Sequence, residues 1–286
     1  MGRVGSATVS ARWRDEEVRP PLLIMTTRAL RLVAGILPGP GGVADATWLV
    51  LGDSPPQSVG WRELRWVPTV NCTKLQEIRD SRSALSSYAG RTVALYDLEA
   101  WDLTPRRERR SPARYASRAA DLLRDTPVIL ALAPSLSLAS ERVPRSASPE
   151  EAYFDAGLIE GLAPACQIFH IQSQRLERVP QRFASFVTEV ARRARALNPN
   201  LYVTAGLSTN PPGAPVAFEH LRACVELTQG VVDGYWLNVP KPGRRCPRCN
   251  PENPSLAAEF LAALRIDDHA FRLQRSSHGL SAKRPA

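Results

Sequence analysis

Apolar runs of strand length recur along the chain, and polar loops and segments of helical period separate them. The runs are TWLVL (47–51), LRWVPTV (64–70), TVALYDL (92–98), PVILALA (127–133), CQIFHIQ (166–172), LYVTAGL (201–207) and VVDGYWL (231–237). They are nearly continuous in Val, Ile, Leu and aromatics, the pattern of parallel strands buried on both faces. Between them, SPARYASRAADLLRD (111–125) and SPEEAYFDAGLIEGLA (148–163) open with Ser-Pro, a cap followed by proline at the first helical position. Further helical segments are 179–198, with Phe183, Phe186, Val187 and Val190 on one face, 216–230, ending in Gly230, and 255–265.

Alternating strands and helices predict an α/β fold with a parallel sheet and right-handed crossovers. Seven strands are clear. An eighth, LLIM (22–25), completes a (β/α)8 barrel of TIM type; otherwise the first or last strand is irregular or missing. A barrel is favoured over an open sheet because no G-x-G-x-x-G or P-loop follows the first strand, and because polar residues recur at strand C-terminal ends, where barrels build their sites. The expected organisation is an irregular segment over 1–45, one barrel domain over 46–268 and a disordered tail over 269–286.

The N-terminal segment admits a second reading. From Met25 the chain has a basic start, a short apolar run and Ala-Asp-Ala at 44–46, which fits an export signal removed at Ala46. Translation from Met25 would make the protein extracellular; otherwise it is expected to be cytoplasmic.

Composition narrows the function classes. The chain has 286 residues, 44% hydrophobic and 23% charged, enough for one large core. Its net charge of +9 comes mainly from arginines spread along helical stretches, without the aromatic interleaving of a nucleic-acid platform, so no nucleic-acid partner is expected. No run of about 20 apolar residues occurs, so no membrane span is expected. Of five cysteines only Cys246 and Cys249 form a motif, CPRC in a proline-rich loop. Without a second ligand pair, zinc is not expected; the pair reads as a local disulfide or two plain thiols. With four histidines and no cluster of ligands, no metal is expected, and no cofactor is required.

The chemistry gathers at the strand ends. VALYDLEAWDLTP (93–105) delivers Asp97, Glu99, Trp101 and Asp102; later strands deliver Ser135, then Gln172 and Gln174, then Ser208 and Asn210, then Tyr235, Trp236 and Asn238. Asp97 and Glu99 are two apart and so share a face of the strand, as do Gln172 and Gln174, and Trp236 and Asn238. Carboxylates and amides bind hydroxyls and an indole stacks on a pyranose, so the cup suits a carbohydrate or a glycosylated small molecule. Two neighbouring acids also suit glycosidic chemistry: one carboxyl is held protonated by the other's charge and serves as general acid. Glu99 is the candidate acid and Asp97 its partner. Trp101, Gln172, Gln174, Asn210, Tyr235, Trp236 and Asn238 are the candidate substrate-binding residues. Asp102 reads as a turn residue, and His170, of opposite phase to the apolar residues beside it, as a core histidine between barrel and helices.

The D-x-E at a strand end resembles the chitinase-like glycoside hydrolases, which act on a (β/α)8 barrel. The resemblance implies Glu99 as acid, with Asp97 beside it. The family's two earlier acids correspond to Thr92 and Leu95, and Gln174 stands nearest to its usual tyrosine. YDLEAWDLTP, IQSQ, GLSTNPPG and GYWLNVP are together similar to bacterial barrel proteins of hypothetical function. The expected activity is therefore glycoside-hydrolase-like cleavage of an oligosaccharide or glycosylated metabolite. The alternatives are a non-catalytic glycan-binding barrel, and a lyase or isomerase acting on a small metabolite with Glu99 as base.

Overall fold

A computed structural model describes residues 21–52, 60–61, 63–88, 90–143, 148–243, 246, 248–267 and 270–273. Its centre is a closed barrel of parallel strands in sequence order: β1 (Leu22–Thr26), β2 (Thr47–Leu51), β3 (Trp66–Cys72), β4 (Thr92–Leu98), β5 (Val128–Pro134), β6 (Ile168–Ile171), β7 (Tyr202–Ser208) and β8 (Gly234–Asn238). The helices are α1 (Thr27–Ala34), α2 (Leu75–Ser86), α3 (Arg106–Arg110), α4 (Pro112–Leu123), α5 (Leu136–Ser140), α6 (Pro149–Asp155), α7 (Leu158–Leu162), α8 (Pro180–Leu197), α9 (Phe218–Thr228) and α10 (Pro254–Ala263). A hairpin of β9 (Leu264–Asp267) and β10 (Ala270–Leu273) follows. This is the (β/α)8 architecture that the alternation of strand and helix segments predicts.

Each strand is apolar on both faces because it serves two cores. Inward residues such as Ile24, Leu49, Val93, Leu95, Ile129 and Ile168 fill the barrel interior. Outward residues pack under the helices, whose buried stripes match them; α8 supplies Phe183, Phe186, Val187, Val190, Ala191 and Ala194. Ser148 caps α6 through a reciprocal bond pair with Glu151, as the Ser-Pro-Glu-Glu start suggests. The single helix expected over 148–163 is instead two, because Gly157 adopts φ 64° and ends the first.

Two boundaries differ from the sequence expectation. The barrel begins at Leu22 rather than residue 46: LLIM is the core of β1, pairing with β2 on one side and β8 on the other. Met25 is fully buried in that strand, so removing the chain through Ala46 would delete β1 and α1 and open the barrel. The chain is also structured beyond residue 269, since Ala270–Leu273 pairs with Leu264–Asp267. The rest of the expected tail, from 274 on, lies outside the described residues. No helix among the described residues is long and apolar enough to cross a membrane.

The β1–β8 seam is tight. A Cβ on Gly234 would lie 2.0 Å from the Leu22 carbonyl oxygen, a backbone atom that cannot step aside. Gly234→Ala is therefore expected to destabilise the protein by about 2 kcal/mol or more, read as a lowered urea midpoint with an unchanged m-value.

Candidate functional site

The C-terminal ends of the strands open into a cavity of about 430 Å³, within the usual range of small-molecule sites. Asp97, Glu99, Trp101, Gln172, Gln174, Trp236 and Asn238 all line it. The strand period explains the convergence: Val93, Leu95 and Asp97 follow one inward row of β4, and Glu99 continues it past the strand end.

Asp97 is nearly buried. Its Oδ1 accepts a 2.8 Å bond from Gln172 Nε2, which also donates to the Ala133 carbonyl at 2.8 Å. The Ala133 oxygen can only accept, so it fixes which end of the Gln172 amide faces the strands. The polar wall joining β4 to β6 is thus held in place before any ligand arrives.

The loop after β4 is organised by Thr104, a buried residue that sequence reading passed over as part of a Leu-Thr-Pro turn. Its hydroxyl accepts from Trp101 Nε1 at 2.9 Å and from the Glu99 backbone N–H at 3.5 Å, and it lies 3.5 Å from the Asp97 carbonyl. One hydroxyl therefore sets the indole and the backbone of Glu99 against the end of β4. Asp102 stands in the exposed turn, as expected.

On the opposite wall, the Gln174 side chain lies against Gly206 of β7, where a Cβ would meet its amide at 2.5 Å. Trp236 forms part of the cavity lining, with its ring 4.8 Å from that of His170. His170 is not at the barrel–helix interface. It shares the phase of Ile168 and Gln172, and so points into the barrel, where its Nδ1 lies 3.0 Å from Thr204 Oγ1 and Nε2 has no partner. Complete burial holds its pKa down at about 3, so the ring is neutral.

Two expected binding residues stand elsewhere. Tyr235 has the phase opposite to Trp236 and points outward, its hydroxyl 2.9 Å from that of Thr228; burial pushes the phenol's pKa up. Asn210 is a strap, with Nδ2 donating to the carbonyls of Pro240 and Asn250, both at 2.8 Å. Asn250 returns two bonds, to the carbonyls of Pro211 (2.7 Å) and Gly213 (2.9 Å). These bonds bind the loop after β7 to the loop after β8, which carries a Cys246–Cys249 disulfide into the cavity wall.

Residues missed by the pattern include Asn71 at the end of β3, and Arg28, Arg175 and Lys241, which also line the cavity. Arg175 and Lys241 lie in loops that carry no periodicity to mark them; Asn71 stands one residue past the strand expected over 64–70, and Arg28 in the first turn of α1. Behind Ser208 lies Glu177, fully buried, its Oε2 accepting from the Ser208 N–H at 2.9 Å. Burial pushes its carboxyl well up, against the opposing pull of that bond and of Arg178. No group of three or more His, Cys, Asp or Glu side chains suited to a metal occurs among the described residues.

Fold and mouth together define the class of the molecule: a (β/α)8 barrel with a polar, aromatic-lined cup at the strand C-termini. No protein-family model and no curated protein matches the sequence. Among solved structures, the endo-β-1,4-mannanase of Thermotoga petrophila superposes with a TM-score of 0.50 at 8% identity, covering 87% of this chain and 77% of that one. The complete pyruvate carboxylase of Rhizobium etli matches at TM-score 0.42 and 12% identity, over 88% of this chain and 26% of its own. At these identities the likeness is one of fold.

Two outcomes follow. Gln172→Leu strips donors from Asp97 and from the Ala133 carbonyl, and should cost about 1–3 kcal/mol in chemical denaturation. His170 has a folded pKa of about 3, below its ordinary value of 6.5, so its contribution to stability is complete above pH 6.5 and is lost as pH falls toward 3. Stability measured between pH 7 and pH 4 should accordingly fall less steeply in His170→Gln than in the wild type.

Proposed function

We propose that the protein is a carbohydrate-active barrel that cleaves a glycosidic bond, with Glu99 as general acid. The observation that carries this reading is the inward row of β4 that ends in Asp97 and continues to Glu99 just past the strand, facing a cup walled by four amides (Asn71, Gln172, Gln174 and Asn238) and two indoles. Glu99 stands farther out and has the longer side chain, so it can reach a leaving glycosidic oxygen and protonate it. Asp97, held against Gln172, is placed to stabilise positive charge developing at the anomeric carbon. Trp101, its N–H already engaged by Thr104, keeps its ring faces for a sugar. A barrel neighbour that is a mannanase agrees with a glycan ligand without specifying one.

A second reading has an observation of its own. The two positions that correspond to further acids in the chitinase-like pattern are here structural. Thr92 donates its hydroxyl to the Leu85 carbonyl at 3.1 Å, and Leu95 sits in the apolar barrel interior. A barrel lacking those acids can bind a glycan without cleaving it.

One experiment decides between them. Wild type and Glu99→Gln are incubated with a panel of glycans and aryl glycosides, and reducing ends and binding are both measured. The hydrolase reading expects release by wild type, at least about 100-fold less by Glu99→Gln, and binding by both. Binding without release by either form establishes the glycan-binding barrel instead.

A further inference from the structure

Charge around the mouth is divided by side. In the closed strand order β4 stands opposite β8, and β1 adjoins β8. The two carboxylates lining the cavity, Asp97 and Glu99, both belong to the β4 side. The lining cations come from the other strand ends: Arg28 follows β1, Arg175 follows β6 and Lys241 follows β8. Arg28 is already paired with Glu252. Arg175 and Lys241 are exposed and form no ion pair with any described residue. The lining also holds neutral polar and aromatic side chains from those same strand ends, Gln172 and Gln174 after β6 and Trp236 and Asn238 on β8.

A neutral glycan would engage the acids, the amides and the indoles, and leave both cations without a counter-charge at the rim of a partly enclosed cup. An anionic group on the ligand would meet them. Its repulsion from the Asp97 carboxylate would also orient the ligand, keeping the charged end toward β6–β8 and the opposite end toward the protonated Glu99.

We propose that the ligand is an anionic sugar: a glycan unit bearing a carboxylate, sulfate or phosphate that lies against Arg175 and Lys241 while its glycosidic oxygen faces Glu99. This rests on the carbohydrate reading above and narrows it to a substrate class. Arg175 offers a planar fork suited to two oxygens of such a group, and Lys241 a point charge beside it.

The test is calorimetric, at one near-physiological ionic strength. The probes are short saccharides in matched pairs: a uronic-acid disaccharide, a sulfated disaccharide and a sugar phosphate, each against its neutral parent. At least one acidic member should bind about tenfold or more tightly than its parent, and the pair that does so identifies the anionic group. In the double variant Arg175→Gln, Lys241→Gln that ratio should fall close to one. Arg79→Gln, on the outer helix α2, removes a positive charge away from the cavity and should leave the ratio intact. Neutral parents that bind as tightly as the acids overturn the proposal, and so does a preference that survives the double variant. If the neutral parents bind and are cleaved, the carbohydrate reading stands and this one falls. If no saccharide of either kind binds, both fall. All three side chains are solvent-exposed, so the variants retain the fold.

Discussion

Pairing of Leu22–Ile24 with Gly234–Trp236 closes the sheet, and the arrangement at the mouth depends on it. An open sheet could shift by a residue at its edges. A closed parallel barrel has no edge, and its register settles which alternate residues face inward. Once Leu22 stands beside Gly234 and Ile24 beside Trp236, the inward rows are set in all eight strands, from Asp97 on β4 to Trp236 on β8. The close passage of β8 past the Leu22 carbonyl, which only a glycine permits, shows how little slack the seam has.

Behind the cup the barrel keeps buried polar groups uncharged or shared. His170 is neutral, against Thr204 and Trp236. Glu177 has its ionisation opposed by burial while it holds the Ser208 backbone. Glu108, also buried, caps the start of α2 through the Leu75 N–H and accepts the Tyr96 hydroxyl, linking helix to strand on the outside of the barrel. Such groups are costly if left unmet, so each one that is met restricts the packing to one arrangement. The rim can then be exposed and charged while what lies beneath it stays rigid.

Strand positions and strand-end chemistry were legible because both follow a period of two. Asp97, Glu99, Gln172, Gln174, Trp236 and Asn238 reach the cavity on that basis alone. The same period, applied against the wrong neighbours, misplaces His170: compared with Phe169 and Ile171 it looks out of phase, and compared with Ile168 and Gln172 it is in phase. Tyr235 fails for the same reason, one step from Trp236. Asn210 is beyond such reasoning, because its partners, the Pro240 and Asn250 carbonyls, are brought near only by the folded loops. Arg175 and Lys241 come from loops without periodicity and Arg28 from the first turn of α1; at all three only tertiary structure tells a rim residue from any other surface cation. The barrel's start was obscured differently, since the basic and apolar residues of β1 and α1 also satisfy an export pattern.

The disulfide in the cavity wall has a consequence of another kind. A covalent link across so few residues restrains little of the unfolded chain, so it adds little to the stability of the whole protein. Its influence is local, on a loop that Asn210 and Asn250 already hold in place. In a reducing medium the same polypeptide keeps its barrel and presents two thiols where it otherwise presents a bridge. Protein prepared with reductant and protein prepared without it are therefore two chemical species with one fold, and they differ at the surface that a ligand would meet.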